Sequence, residues 1–145
     1  MKRQIWVGWI CAIGVLFLAY WRGEFRELGI AFAIGSVSGL FLDFVGTKRL
    51  RYWEYTRYRF FSLKYFVVVV PSWGVLGGLT NLLWNLMGSL QPWLILLILT
   101  CAFLLFWEGL NLRTRTWKYY APGWLVVAGW FPLVFVFRVA FLVFR

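Results

Sequence analysis

The 145-residue chain has no histidine and only two cysteines, and its five acidic residues face fifteen lysines and arginines. Without histidine there is no imidazole to ligate haem, no usual chlorophyll ligand, no histidine-rich di-iron site and no imidazole base. Cys11 and Cys101 lack a Cys-x-x-Cys spacing, so neither a zinc site nor a disulfide is suggested. Both read as small buried residues. A Gly-rich phosphate loop, a serine nucleophile elbow and a His-Glu-x-x-His pair are also missing. The expectation is therefore no metal and no cofactor, and any acid-base chemistry falls to carboxylates, tyrosine and lysine.

Polar sequence is equally scarce. Charged residues make up 14% of the chain, against 63% apolar and 23% aromatic, far outside the balance of a soluble domain. Apolar runs fall at about residues 5–21, 28–45, 65–86, 92–110 and 121–144, each close to the ~20 residues that cross a hydrocarbon core. Lipid supplies no water to open backbone groups, so all five should be helices. The expected fold is all-α: one polytopic transmembrane domain over residues 1–145 with five spans. The first run ends at Tyr20-Trp21-Arg22, without a small-residue cleavage pattern, and reads as a mature helix and not a signal peptide. Residues 46–64, dense in Tyr, Trp and Phe, read as an interfacial segment.

Charge sets the expected orientation. With five spans, Lys2, Arg3, Lys48, Arg49, Arg51, Arg57, Arg59, Lys64, Arg113, Arg115 and Lys118 share one side, leaving Arg22, Arg26, Arg138 and Arg145 on or toward the other. The positive-inside rule makes this a cytoplasmic (inner) membrane protein with its amino terminus cytoplasmic and its carboxyl terminus outside. The same cations attract anionic lipid headgroups at ~1 kcal/mol each, and no nucleic-acid partner is needed to explain them.

What the chain does have is a repeat. FLDFVGTKRLRYWEY at 41–55 and FWEGLNLRTRTWKYY at 106–120 both carry Arg-x-Arg-x-Trp-x-Tyr, preceded by an acid at ten and nine residues before the tryptophan. A Pro-bearing apolar span follows each, with Pro71 and Pro132. Spans two and three thus echo spans four and five, an arrangement of two parallel-repeat hairpins plus an amino-terminal helix that would build a site between the halves. Small residues at Ala31, Gly35 and Gly39 run on to Asp43, and Gly74-x-x-x-Gly78 lies on the third span, so both faces should meet other helices.

Asp43 and Glu108 sit at the carboxyl-terminal ends of their spans, where the helix dipole disfavours an acid by roughly 0.3–1 kcal/mol. Arg49 and Arg51, or Arg113 and Arg115, are the nearest candidates to stabilise them, within one hairpin or crossed between the two. In the functional reading Asp43 and Glu108 are catalytic acids or ligand groups. Arg49, Arg51, Trp53, Tyr55, Asn111, Arg113, Arg115, Trp117 and Tyr119 then form a binding surface. In the plainer reading the charges pin loops and the Trp-x-Tyr pairs anchor the interface. Asn81 and Asn85 suggest hydrogen bonding between helices, and Arg138 suggests snorkelling toward headgroups.

The order acid, basic stretch, Trp-x-Tyr and Pro-containing helix, as in DFVGTKRLRYWEY and VVVVPSW, resembles the repeated segment of small polytopic proteins of carotenoid synthesis, the non-flavin lycopene cyclases and the carotenoid hydratase-like proteins. FWEGLNLRTRTWKYY is also similar to bacterial membrane proteins with a Glu-x-x-Asn-x-Arg and Trp-x-Tyr signature. The Pro-x-Glu-Glu type motif of the cyclases is absent, so only Asp43 and Glu108 carry over, as acids at matching places. The resemblance implies a hydrophobic isoprenoid or lipid ligand at the cytoplasmic membrane edge, bound and, if the protein is an enzyme, altered by cofactor-independent acid-base chemistry of the lyase or isomerase kind. Aromatic faces suit a developing cation there. The alternative is a non-catalytic accessory subunit of a larger respiratory or photosynthetic membrane complex, or a homo-oligomer.

Overall fold

The structure, a computed structural model, describes residues 2–145 and the side chains of residues 9–145. The side chains of Lys2 and Arg3, counted above with the basic side, lie outside those described. The fold is all-α, with five helices: α1 (Lys2–Trp21), α2 (Phe25–Phe44), α3 (Leu63–Leu86), α4 (Pro92–Thr114) and α5 (Gly123–Phe144). A π turn over Val45–Arg49 extends α2, and two short strands, β1 (Trp53–Tyr55) and β2 (Trp117–Tyr119), lie in the long loops. Among the described residues, α2 to α5 are long and apolar enough to cross a membrane, and α1 contributes the shorter apolar stretch Trp9–Trp21. Large apolar side chains such as Phe17, Phe41, Leu105, Leu112 and Val143 are exposed on their outer faces, as a lipid-facing surface requires.

The helix ends follow from local chemistry. After α1, Gly23 adopts φ +71°, its N–H donates to the Tyr20 carbonyl, and the Glu24 N–H donates to the Ala19 carbonyl. That pattern is a Schellman stop, which a residue without a Cβ makes without strain. Ser62 caps α3 by accepting from the Tyr65 N–H at 3.2 Å. Pro92 opens α4 at a position where its missing donor is not needed.

α3 is the central helix, with 56% of its apolar window buried against 28% for each of α2, α4 and α5. One side of α3 joins Leu76 to Ile95, Leu99 and Phe103 of α4 and to Leu133, Val134 and Phe137 of α5. Its Val75 and Leu82 pack with Ala12, Val15 and Ala19 of α1 and Leu28 of α2. The expected small-residue stripe on α2 does face α3, and Ala31, Gly35, Gly39 and Asp43 are all buried. On α3, however, the close crossing is made by Gly77, while Gly74 accommodates the Phe32 ring and Gly78 turns toward Val15 and Leu28. A Cβ on Gly35 would stand 2.5 Å from the Trp73 carbonyl oxygen, and one on Gly77 would stand 2.5 Å from that of Ala31.

The strands are a departure from the helical expectation. β1 and β2 pair antiparallel in the register Trp53 to Tyr119, Glu54 to Lys118 and Tyr55 to Trp117. The two Trp-x-Tyr motifs are therefore hydrogen-bonded to each other, and this ribbon ties the α2–α3 hairpin to the α4–α5 hairpin. Thr56 reinforces it: its hydroxyl donates to the Arg115 carbonyl at 2.5 Å and its N–H donates to the Thr116 carbonyl at 2.9 Å.

The α2–α3 crossing generates a test. Gly35→Ala should destabilise the detergent-solubilised protein by about 1–3 kcal/mol through overpacking. Gly109→Ala, where an added Cβ meets nothing within 4 Å, should instead stabilise by roughly 0.5–1 kcal/mol. Thermal unfolding of both variants reads the difference, and equal melting would rule out the backbone contact.

Candidate functional site

Asp43 is fully buried at the end of α2, and its partners are neutral. Tyr55 donates to both carboxylate oxygens at 2.9 Å, Tyr65 donates to Oδ2 at 2.7 Å, and the Trp73 indole donates to Oδ2 at 2.9 Å. β1 supplies the first phenol and α3 supplies the other two groups. Hydrogen bonds to a charged acceptor are worth about 1.5–3 kcal/mol each, and three donors from two elements hold the α2 end against the ribbon and α3. Two glycines make room for the rings. A Cβ on Gly39 would overlap the Trp73 ring, and one on Gly46 would overlap the Trp53 ring.

Glu108 repeats the scheme one hairpin on. Its Oε1 accepts from Tyr119 at 2.7 Å and from the Trp130 indole at 3.2 Å. Each acid thus takes the tyrosine of its own Trp-x-Tyr motif and an indole from the helix that follows. Tyr65 gives Asp43 a third donor for which Glu108 has no counterpart among the described residues.

The local backbone explains why the repeat is spelled as it is. Arg51 and Arg115, the second arginine of each copy, both adopt the left-handed region with φ 53° and φ 49°. Each ends its helix and turns the chain into a strand. Asp43 lies one residue farther from Arg51 than Glu108 lies from Arg115, and the π turn takes up that extra residue. There the Leu50 N–H donates to Val45 O at 2.9 Å, a wider ring than an α turn. Asn111 serves the second turn: its side chain accepts from the Trp117 N–H at 3.1 Å.

The arginines are the clear correction. Arg49, Arg51, Arg113 and Arg115 are all exposed, and none lines either of the two cavities described below. The single ion pair among the described residues joins Arg22 to Glu24 at the opposite end. Phenol and indole donors stabilise the acids instead, because they satisfy a carboxylate without a second charge having to leave water. Asn111 likewise lines neither described cavity and holds the turn through Trp117. Tyr65, Trp73 and Trp130 escaped the sequence reading; the signal was an aromatic donor close to each span proline, Trp73 beside Pro71 and Trp130 beside Pro132.

Between the hairpins, under the ribbon, lies a cavity of about 860 Å³. Asp43, Trp53, Tyr55, Trp117 and Tyr119 form its ribbon end, and Trp73, Trp107, Trp130 and Leu133 form its walls. Val37 and Phe41 of α2 and Phe106 of α4 line it while also being exposed, so it opens through the side of the bundle. Glu108 lines a smaller groove of about 390 Å³ with Leu105, Gly109 and Leu112. Asp43 and Glu108 therefore do not share a chamber. Tyr119 borders both.

In the ribbon, burial first and the neighbouring Asp43 second push the Tyr55 hydroxyl well above the usual tyrosine range. Burial first and Glu108 second do the same for Tyr119. The chain matches no known protein family, no curated protein and no solved structure.

Two tests follow from the cage. Asp43→Asn keeps one acceptor oxygen for three buried donors and should cost about 2–3 kcal/mol, the upper part of the range for a buried polar group left without its partner. Glu108→Gln, at a less buried acid whose donors both address one oxygen, should cost roughly 1 kcal/mol. A larger loss for Glu108→Gln in chemical denaturation would contradict this ordering. The second test uses pH. A phenol whose folded pKa is raised contributes its stability in full below the unfolded value near 10, and loses it as pH climbs toward the folded value. Stability should fall above about pH 10, and less steeply in Tyr119→Phe; identical slopes would remove Tyr119 from the account.

Proposed function

We propose that the chain is a five-span, multi-pass protein of the cytoplasmic membrane that holds an elongated apolar ligand, of isoprenoid or lipid type, between two parallel-repeat hairpins. One observation carries the reading: the cavity under the ribbon, whose volume falls within the ~300–1,000 Å³ of small-molecule sites. Its walls are mostly aromatic and aliphatic, and its side opening faces the lipid-exposed flank of the bundle. An apolar molecule would enter from the bilayer without crossing water.

The polar end of the ligand would rest under the ribbon, near Tyr55 and Asp43. The ribbon carries exposed Lys118 and lies near exposed Lys48, Arg49, Arg51, Arg113 and Arg115, so the positive-inside rule puts it at the cytoplasmic face. The resemblance to carotenoid-synthesis proteins fits the same ligand class.

Binding is the better supported half of the reading. A carboxylate that accepts from Tyr55, Tyr65 and Trp73 at once is satisfied as an acceptor. Asp43 thus acts as a positioning group for the ribbon and the Trp73 ring. Glu108, whose Oε2 receives none of its hydrogen bonds, lines the separate groove and so stands outside the chamber proposed for the ligand.

Gly129 offers a clean test, because it lines the cavity and a Cβ there meets nothing within 4 Å. Wild-type protein purified in mild detergent should yield a discrete apolar compound by mass spectrometry of its extract, in near-stoichiometric amount. Gly129→Leu should keep the helical content and oligomeric state and lose that compound at least about tenfold, the effect of filling an apolar site. Recovery of bulk phospholipid alone, the same from both proteins, would defeat the reading.

A further inference from the structure

Arg138 is a cation that the cavity does not use. It lies on α5 among apolar residues, about 9 Å along the helix from Phe144 at its ~1.5 Å rise per residue. Its Nη1 donates to Asn81 Oδ1 at 3.0 Å and to Asn85 Oδ1 at 3.1 Å. Its guanidinium lies 5.4 Å from the Trp84 ring centre and 5.7 Å from that of Phe141. These contacts join α5 to α3 and confirm the expected interhelical use of the asparagines. They also fix the direction of a side chain that the sequence suggested would snorkel toward the headgroups.

The site is electrically incomplete. No carboxylate lies within ion-pair range of Arg138 among the described residues. Arg145 and Glu27 are the charged groups near enough to act on it, and they oppose each other. Nη1 spends both its N–H groups on the asparagines, and Nε is buried without a hydrogen-bond partner among the described residues. Nη2 has no described partner either, yet it is not among the buried unpartnered atoms, so it is open to the surroundings. An uncharged amide at position 138 could also bond to an asparagine without bringing a charge into apolar surroundings, a step that is expensive in a membrane. An oriented, ring-clamped guanidinium with a free donor face and a second arginine nearby is the pattern that receives an oxyanion.

We propose that Arg138, with Arg145, binds the phosphate of an anionic phospholipid in the leaflet opposite the ribbon. Asn81, Asn85 and Trp84 fix the guanidinium plane, and the open Nη2 meets a phosphate oxygen at headgroup depth. The site lies at the far end of α3 and α5 from the Asp43 cage and stands whether or not the cavity holds a ligand.

The experiment uses full-length protein in phosphatidylcholine nanodiscs containing a trace of photoactivatable phosphatidylglycerol, with crosslinks mapped by mass spectrometry. Mapping is needed because the ribbon end will also attract anionic lipid. The expected labels fall within residues 81–91 and 138–145. Excess unlabelled phosphatidylglycerol should suppress them and inorganic phosphate should not; suppression by inorganic phosphate would overturn the lipid as the source. Arg138→Gln should abolish these labels, and Arg145→Gln, at an exposed helix end that leaves the fold intact, should weaken them roughly fivefold. Labels confined to the ribbon end, or unchanged in Arg145→Gln and Arg138→Gln, would overturn the proposal.

Discussion

A carboxyl group shut away from water must find hydrogen-bond partners within the protein, and the end of α2 is organised around that constraint. Asp43 recruits one phenol from the ribbon and a phenol and an indole from α3. Because the donors belong to different elements, satisfying the acid fixes where those elements stand. Gly39 and Gly46 are then required, since the indoles of Trp73 and Trp53 lie where their side chains would be. The ribbon extends the constraint to the second hairpin by pairing Tyr55 with Trp117 and Trp53 with Tyr119.

The two halves use one scheme at different strengths. Asp43 is fully buried and takes three donors, whereas Glu108 is half-buried and receives two donors on a single oxygen. α2 and α3 cross backbone to backbone at Gly35 and Gly77, and no glycine pair brings α4 and α5 together in that way among the described residues. A tight hairpin facing a looser one, tied at the ribbon end, leaves space between them under the ribbon. The cavity is the geometric consequence of that asymmetry.

Much of this was legible in the sequence. Apolar run lengths locate the helices, and the four-residue stripe from Ala31 to Asp43 identifies the buried face of α2. The repeated motif marks the residues that meet, including Tyr55 and Tyr119. The partners of the acids were not legible, because charge alone favours arginine while burial favours donors that carry none. Arg51 and Arg115 are instead backbone hinges, and left-handed geometry at a non-glycine residue leaves no mark in a single sequence. Nor could two three-residue strands separated by more than sixty residues show themselves by periodicity, which needs a longer run to be seen. The one-residue difference between the copies was visible, but only the π turn after Asp43 shows what it does.

The central claim is that the space beneath the ribbon is a ligand site. An experimental density map of the protein extracted with its native lipids tests it most directly. The account predicts continuous elongated density between α2, α3, α4 and α5, with one end beneath Tyr55 and the other leaving between Phe41 and Phe106. A collapsed space, with the Trp73 and Trp130 rings packed against each other and no density between the hairpins, would contradict it.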